Sequence, residues 1–236
     1  MTRRRLTALA LVACLPGGLK RFCYRYFFGY QIGRRVRIGL SVLDAGECEI
    51  QDDVEIGHLN LVVGVGKLFI GDHAHIGHLN LLRGGDEIVL GRYSDIRRCN
   101  EINSIPNPQS VTLRDPRFRL GAGSTITAGH KIDFTDRVDI GERSILGGRN
   151  SSLWTHNRHR TRPVTIGSST YVGSEIRVAP GGTIPSQCIV GIGSVITDAL
   201  QDESRLIAGV PAKPVRPLDP EDRMLLDYRP DLPDEL

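Results

Sequence analysis

The sequence offers no segment able to cross a bilayer. Its N-terminal apolar run, Leu6–Leu15, is about half the roughly 20 residues a spanning helix needs. Lysine is scarce: only Lys20, Lys67, Lys131 and Lys213. The basic residues are otherwise arginine, and 30 Lys+Arg against 27 Asp+Glu give a net charge of only +3. That balance makes no electrostatic case for a nucleic-acid partner. The five cysteines (Cys14, Cys23, Cys48, Cys99, Cys188) have no CxxC or CxH spacing and are odd in number. This argues against a disulfide framework or a structural zinc site, and for free thiols in a reducing, cytoplasmic compartment. Glycine, in contrast, is abundant: 27 residues, about 11% of the chain against a usual ~7%. The fold must need many tight or left-handed backbone positions.

The first 29 residues read as a separate segment. TRRRLTALALVACLPGG has the basic start and apolar run of a minimal secretory signal, and LVAC resembles a lipoprotein cleavage box. The scattered cysteines favour the other reading, a retained short helix. Such a helix packs on the domain or rests peripherally on the inner face of a membrane through residues 1–28. KRFCYRYFFGY, basic and aromatic, suits that interface.

From Ile32 onward a period of six appears. Ile32, Ile38, Asp44, Ile50, Ile56 and Val62 are spaced by six. Ile70, Ile76, Leu82 and Ile88 hold a second phase, and Leu90, Ile96 and Ile102 a third. The cleanest run is Ile166, Val172, Val178, Ile184, Val190 and Ile196. The segment IGHLNL occurs twice, at 56–61 and 76–81. Six fits neither a helix (3.6) nor an alternating strand (2). It fits short strands joined by tight turns, three hexads to a triangular coil, with every sixth side chain in the core. At about 18 residues per coil, residues 30–216 predict roughly ten coils of a parallel β-helix. Phase slips near 68, 88 and 138 imply coils with extra residues. Two stretches break the pattern: the Pro-rich SIPNPQSVTLRDPRF (104–118) and the polar THNRHRTRP (155–163). Residues 217–236 predict a short helix with Asp219 as N-cap and Pro220 at its first position, covering the open end of the solenoid.

SSLWTHNRHRTRPVTIG, SSTYVGSEIRVAPGGTIPSQCIVGIGSVITDAL and RLIAGVPAKPVRPL follow one another over 151–218. In the order of these parts the chain resembles the left-handed β-helix (hexapeptide-repeat) acyltransferases, and among them the sugar O-acetyltransferases of polysaccharide and nodulation-factor pathways. The likeness is strong over about 140–217, rests on the repeat alone over 30–140, and does not reach the first 30 residues. It implies an all-β, left-handed parallel β-helix between a short N-terminal and a short C-terminal helix. It also implies a homotrimer, and acetyl transfer from acetyl-CoA to a hydroxyl of a cell-surface glycan or its precursor, with no metal.

The resemblance also implies site residues. A sugar hydroxyl becomes an adequate nucleophile when a base takes its proton, and histidine suits that task near neutral pH. The family's base occupies the place of His156. His159, Asn157, Trp154, His130 and Asp133 are candidates for catalytic support or acceptor binding. Asn157 stands where the family often has Asp, so an ionic partner must come from elsewhere, such as Asp133 or a neighbouring chain. For CoA, the matched positions are Gly173, Ser174, Ile192, Gly193, Thr197, Lys213 and Arg216, with an oxyanion donor near Gly173–Ser174. Asp198 stands where Lys is common, which disfavours phosphate. Two rival readings stay open. One is a non-catalytic scaffold, kept alive by Asn157 and Asp198. The other is a γ-type carbonic anhydrase with a metal among His58, His73, His75 and His78; the second histidine expected five residues after each IGH is Val63 or Arg83 here.

Overall fold

A computed structural model describes residues 3–105, 114–158, 161–227 and 232–233. His159 and the centre of the 104–118 stretch lie outside the described residues. The chain forms a parallel β-solenoid with a 10-stranded and a 14-stranded sheet. Three columns of apolar side chains fill it. The first runs from Ile38 through Ile56, Ile76, Ile96, Ile126, Leu146, Val172 and Val190 to Ile207. The second runs from Leu43 to Ile196, the third from Ile32 to Ile184, and nearly all are fully buried.

The winding closes in about eight turns rather than ten. Stacked first-column partners are 18 residues apart at Ile38–Ile56 and 20 at Ile56–Ile76. They are 30 apart at Ile96–Ile126 and 26 at Leu146–Val172, where the two polar stretches leave the coil. The 20-residue coils carry a second buried residue on the third face: Leu68 before Ile70, Ile88 before Leu90, Val138 before Ile140. These are the phase slips seen in the sequence. The second column begins at Leu43, not Asp44; a bulge between Leu43 and Ala45 shifts the register.

The duplicated IGHLNL is explained position by position at the first corner, between the first and second faces. Ile fills the column. Gly permits close stacking, since a Cβ on Gly57 would lie 2.2 Å from the Gly77 carbonyl oxygen. His78 Nδ1 accepts from the His58 amide at 2.9 Å. Leu59 and Leu79 turn the chain with φ of 59° and 61°. Asn builds a buried ladder: Asn80 N donates to Asn60 Oδ1 at 3.0 Å and Asn100 N to Asn80 Oδ1 at 2.9 Å.

Both ends of the solenoid are closed. Along each face, the amide after a column residue donates to a carbonyl one coil on, as Gly33 does to Ile50 and Gly39 to Ile56. On the first coil, the carbonyls of Ile32, Ile38 and Leu43 have no preceding coil to serve, and buried acceptors require donors. The N-terminal segment, which forms α1 (Arg3–Ala13) and α2 (Gly17–Phe28), supplies them from α2 and from Tyr30 just beyond it. Arg25 donates to Ile32 O, Lys20 Nζ to Ile38 O at 3.1 Å, and the Tyr30 hydroxyl lies 3.1 Å from Leu43 O. There are thus two N-terminal helices where one was expected. At the other end, Ala212–Pro217 pairs antiparallel with Arg205–Gly209 and covers the last coil. α3 (Pro220–Asp227) buries no residue, and it is the hairpin that covers the free edge of the first face. Its N-cap is as expected: Asp222 N donates to Asp219 Oδ1 at 2.9 Å. Among the described residues no helix is long and apolar enough to cross a membrane.

Candidate active site

The second corner, between the second and third faces, is where the chain departs from the solenoid. In the first coils it is made by two strands that bend without a break, Val42–Ile50 and Leu61–Ile70. Later it opens, and after Trp154 the chain leaves in a short hairpin. Arg162 N donates to Thr155 O at 2.8 Å, and His156 bridges to Thr161 in antiparallel sense. Thr155 fastens the base of the hairpin, its Oγ1 accepting from Asp136 N at 2.9 Å. Arg162 then lies across the next coil's corner: a Cβ on Gly181 (φ 91°) would stand 3.0 Å from Arg162 Cδ. Gly181 of the P-G-G corner makes room for this arginine, which sequence reading did not single out.

His156 sits at the start of the hairpin with Nδ1 2.7 Å from Asp133 Oδ2. Asp133 belongs to the preceding coil, and its side chain is only 3% exposed. It is heavily committed: Oδ2 also accepts from Thr155 N at 3.1 Å and Thr155 Oγ1 at 2.9 Å, and Oδ1 from Thr135 Oγ1 at 2.7 Å. A carboxylate held by donors is an acceptor, so the network assigns the proton to His156 Nδ1 and a lone pair to Nε2. The imidazole keeps 19% of its surface exposed. The carboxylate partner that Asn157 does not offer is therefore supplied by stacking. Thr135 and Thr155, which hold the carboxylate, carried no signal in the sequence beyond lying next to the two groups.

Trp154 lies on the outer side of the second face, 37% exposed, with Lys131 Nζ 5.5 Å from its ring centroid. His130 is not beside this group. Stacking puts it in the first-corner ladder below Asn100, 1% exposed. Its amide donates to Asn100 Oδ1 at 2.9 Å, its Nδ1 accepts from Ser151 N at 3.2 Å, and its Nε2 is 3.0 Å from Thr127 Oγ1. Burial pulls its pKa down to about 4.

The expected CoA positions fall into three places. Gly173, Ser174, Ile192 and Gly193 stack on successive coils at the first corner, where Gly193 N donates to Ser174 O at 3.1 Å and Ile192 is 73% exposed. The Gly173 amide is committed to Val190 O at 3.0 Å, so it is not the oxyanion donor anticipated near Gly173–Ser174. Thr197 is at the second corner, its Oγ1 donating to Asp198 Oδ2 at 2.8 Å. Lys213 and Arg216 lie exposed on the closing strand, and Arg216 is held by Asp222 and by Asp219 at 3.3 Å. Within one chain, His156 and the Ser174–Ile192 pair stand at opposite edges of the second face.

The four histidines weighed as metal ligands are spread out. His58 and His78 stack on each other (centroids 5.7 Å), His73 stacks on Tyr93 (4.6 Å), and His75 Nδ1 pairs with Asp95 at 2.8 Å. Among the described residues no three His, Cys, Asp or Glu side chains converge as a metal site.

No family model matches the chain. The galactoside O-acetyltransferase of Escherichia coli (strain K12) is 33% identical over 100 residues, 42% of this chain and 47% of that protein. A protein of Staphylococcus aureus (strain MRSA252) named as an acetyltransferase is 42% identical over 59 residues, 25% of this chain and 29% of the relative. The chain thus spans half or less of the length of these curated relatives. Among solved structures, the polysialic-acid-specific acetyltransferase NeuO matches 70% of this chain and 85% of its own, at 20% identity and a TM-score of 0.42. With its six-residue period, its solenoid and these matched stretches, the chain is similar to proteins named as acetyltransferases.

Proposed function

We propose that this protein is an O-acetyltransferase that moves an acetyl group from acetyl-CoA to a sugar hydroxyl of a cell-surface polysaccharide or its precursor, with His156 as general base. The observation that carries this reading is the His156–Asp133 pair: an imidazole with 19% of its surface exposed and its Nδ1 bound to a buried carboxylate, which leaves Nε2 for the acceptor. The name of the galactoside-acetylating relative supports the sugar acceptor.

The acceptor oxygen attacks the thioester carbonyl carbon while Nε2 takes the hydroxyl proton. The imidazolium formed is stabilised through Nδ1 by Asp133, which also fixes the tautomer. The tetrahedral centre collapses with cleavage of the C–S bond, and the departing sulfur takes the proton from Nε2 as CoA thiol. No acyl-enzyme is required. The donor groove is formed by Ser174, Ile192 and Gly193 of one chain against the His156 corner of a neighbour in a homotrimer, which reconciles their separation within a single chain. Lys213 is the phosphate contact. Arg216, tied to Asp222 and Asp219, and Thr197, bonded to Asp198, contribute less, so acetyl-CoA binds weakly.

The test is release of free CoA thiol from acetyl-CoA in the presence of galactosides and other glycosides, with the mass of the acceptor read in parallel. Release together with a gain of one acetyl group on the acceptor is expected. Tight acetyl-CoA binding without transfer to any hydroxyl would favour the scaffold reading.

A further inference from the structure

The charge of the chain is not evenly spread. The first 43 residues contain nine of the 30 Lys and Arg residues and none of the 27 Asp and Glu residues, the first acid being Asp44. The remainder is net acidic. A net charge of +3 therefore conceals a basic cap on an acidic body.

Part of that cap is structural. Arg5 pairs with Asp44 at 2.7 Å, and Lys20 and Arg25 serve the first coil's carbonyls. Arg34, Arg35 and Arg37 pair with Asp52, Asp53 and Glu55 of the next coil. The two helices also carry an outward face. On α2, Leu19, Phe22 and Tyr26 follow helical spacing and are 50%, 54% and 73% exposed, while Lys20, Cys23 and Tyr24 are buried against the solenoid. Phe22 and Tyr26 stack on each other with centroids 5.6 Å apart, and Phe27 is 67% exposed. Leu11 of α1 adds a further exposed apolar side chain. Among the described residues, neither Arg4 nor Arg21 lies within ion-pair distance of a carboxylate.

Large aromatics beside unpaired arginines, with no acid on the same segment, match the headgroup region of an anionic bilayer. A second copy docking the same face on itself would set like charges together. The membrane is the better complement, and the acidic body would be repelled from it, fixing which end points down. We infer that the outward face of α1 and α2 docks the solenoid end-on to an anionic lipid surface, with Leu19, Phe22, Tyr26 and Phe27 entering the headgroup layer and Arg4 and Arg21 pairing with lipid phosphates. This holds or fails independently of the chemistry at His156.

The experiment is co-sedimentation of the full chain with vesicles of phosphatidylcholine alone and of phosphatidylcholine with one third phosphatidylglycerol. The full chain is expected to sediment with the anionic vesicles, to be released by rising salt, and to stay in solution with the neutral ones. Phe22→Ser/Tyr26→Ser, both at exposed positions, and Arg4→Glu/Arg21→Glu, at one exposed and one half-buried position, each lower the bound fraction by about tenfold or more at unchanged far-ultraviolet circular dichroism. Light scattering gives the native mass of each variant. Absence of sedimentation with either vesicle would overturn the inference, as would binding unaffected by both double variants. A fall in native mass for Phe22→Ser/Tyr26→Ser would also overturn it, because the face would then be a contact between chains.

Discussion

The two corners that flank the second face treat histidine in opposite ways. At the first corner His130 is 1% exposed, with both ring nitrogens and its amide absorbed into a ladder that continues from Asn60, Asn80 and Asn100. At the second corner His156 is stationed on a hairpin outside the coil, one nitrogen anchored on Asp133 and part of the ring open. The residue type and the scaffold are the same. What differs is whether the coil closes tightly enough to use the side chain as backbone mortar. Where every donor is spent on the stack, imidazole is structure; where the coil is opened by extra residues, it is free for chemistry.

This contrast can be broken at its strongest point by Asp133→Asn. The amide would present an N–H to donors that now meet a carboxylate, and the fixed tautomer of His156 would be lost. Turnover should fall about 100-fold or more, and unfolding in urea should show a loss of about 1–3 kcal/mol from the broken buried network. Full activity in a stable variant would show that the pair is ornamental.

The first corner answers to pH instead. The pKa of His130 is held at about 4, below the ordinary 6.5, so the unfolded chain binds the extra proton first as pH falls. Its contribution is complete above pH 6.5 and is lost between there and about pH 4, by up to roughly 3 kcal/mol. His130→Asn, which extends the asparagine ladder, should flatten that part of the stability curve and leave turnover unchanged. Next in size, Asn80→Ala removes a rung bonded to both neighbours and should cost about 1–3 kcal/mol. The smallest effect is expected at Leu59, a half-exposed residue with φ of 59°: Leu59→Gly should raise stability by about 1 kcal/mol or less, read as a small upward shift of the melting midpoint.

The same contrast separates what the sequence discloses from what it withholds. A column position must be apolar on every coil, so Ile166 to Ile196 announces the solenoid without help, and IGHLNL announces a corner. Coil length is harder to read. The extra buried residues Leu68, Ile88 and Val138 look like lost phase until the third face is seen to hold two side chains per coil; with the longer coils of 30 and 26 residues at the two polar stretches, they turn an expected ten coils into about eight. Partners across coils are harder still. Asp133 and His156 are 23 residues apart, an interval set by the hairpin as much as by the period, so Asp133 could be named only as one candidate beside a neighbouring chain. His130 was as plausible a neighbour of the loop, and a different corner claimed it. The inward basic residues of the cap were also illegible, because their task is to satisfy carbonyls that only the folded first coil leaves open.

The central claim, that the second corner carries the chemistry, is tested most directly by His156→Ala assayed for CoA thiol release beside the unaltered chain, with acetyl-CoA binding and melting midpoint measured on the same samples. Turnover should fall by about 10²–10⁴-fold, while acetyl-CoA binding and the melting midpoint stay close to the original. Equal turnover in the two proteins would contradict the account and return His156 to the status of a loop residue.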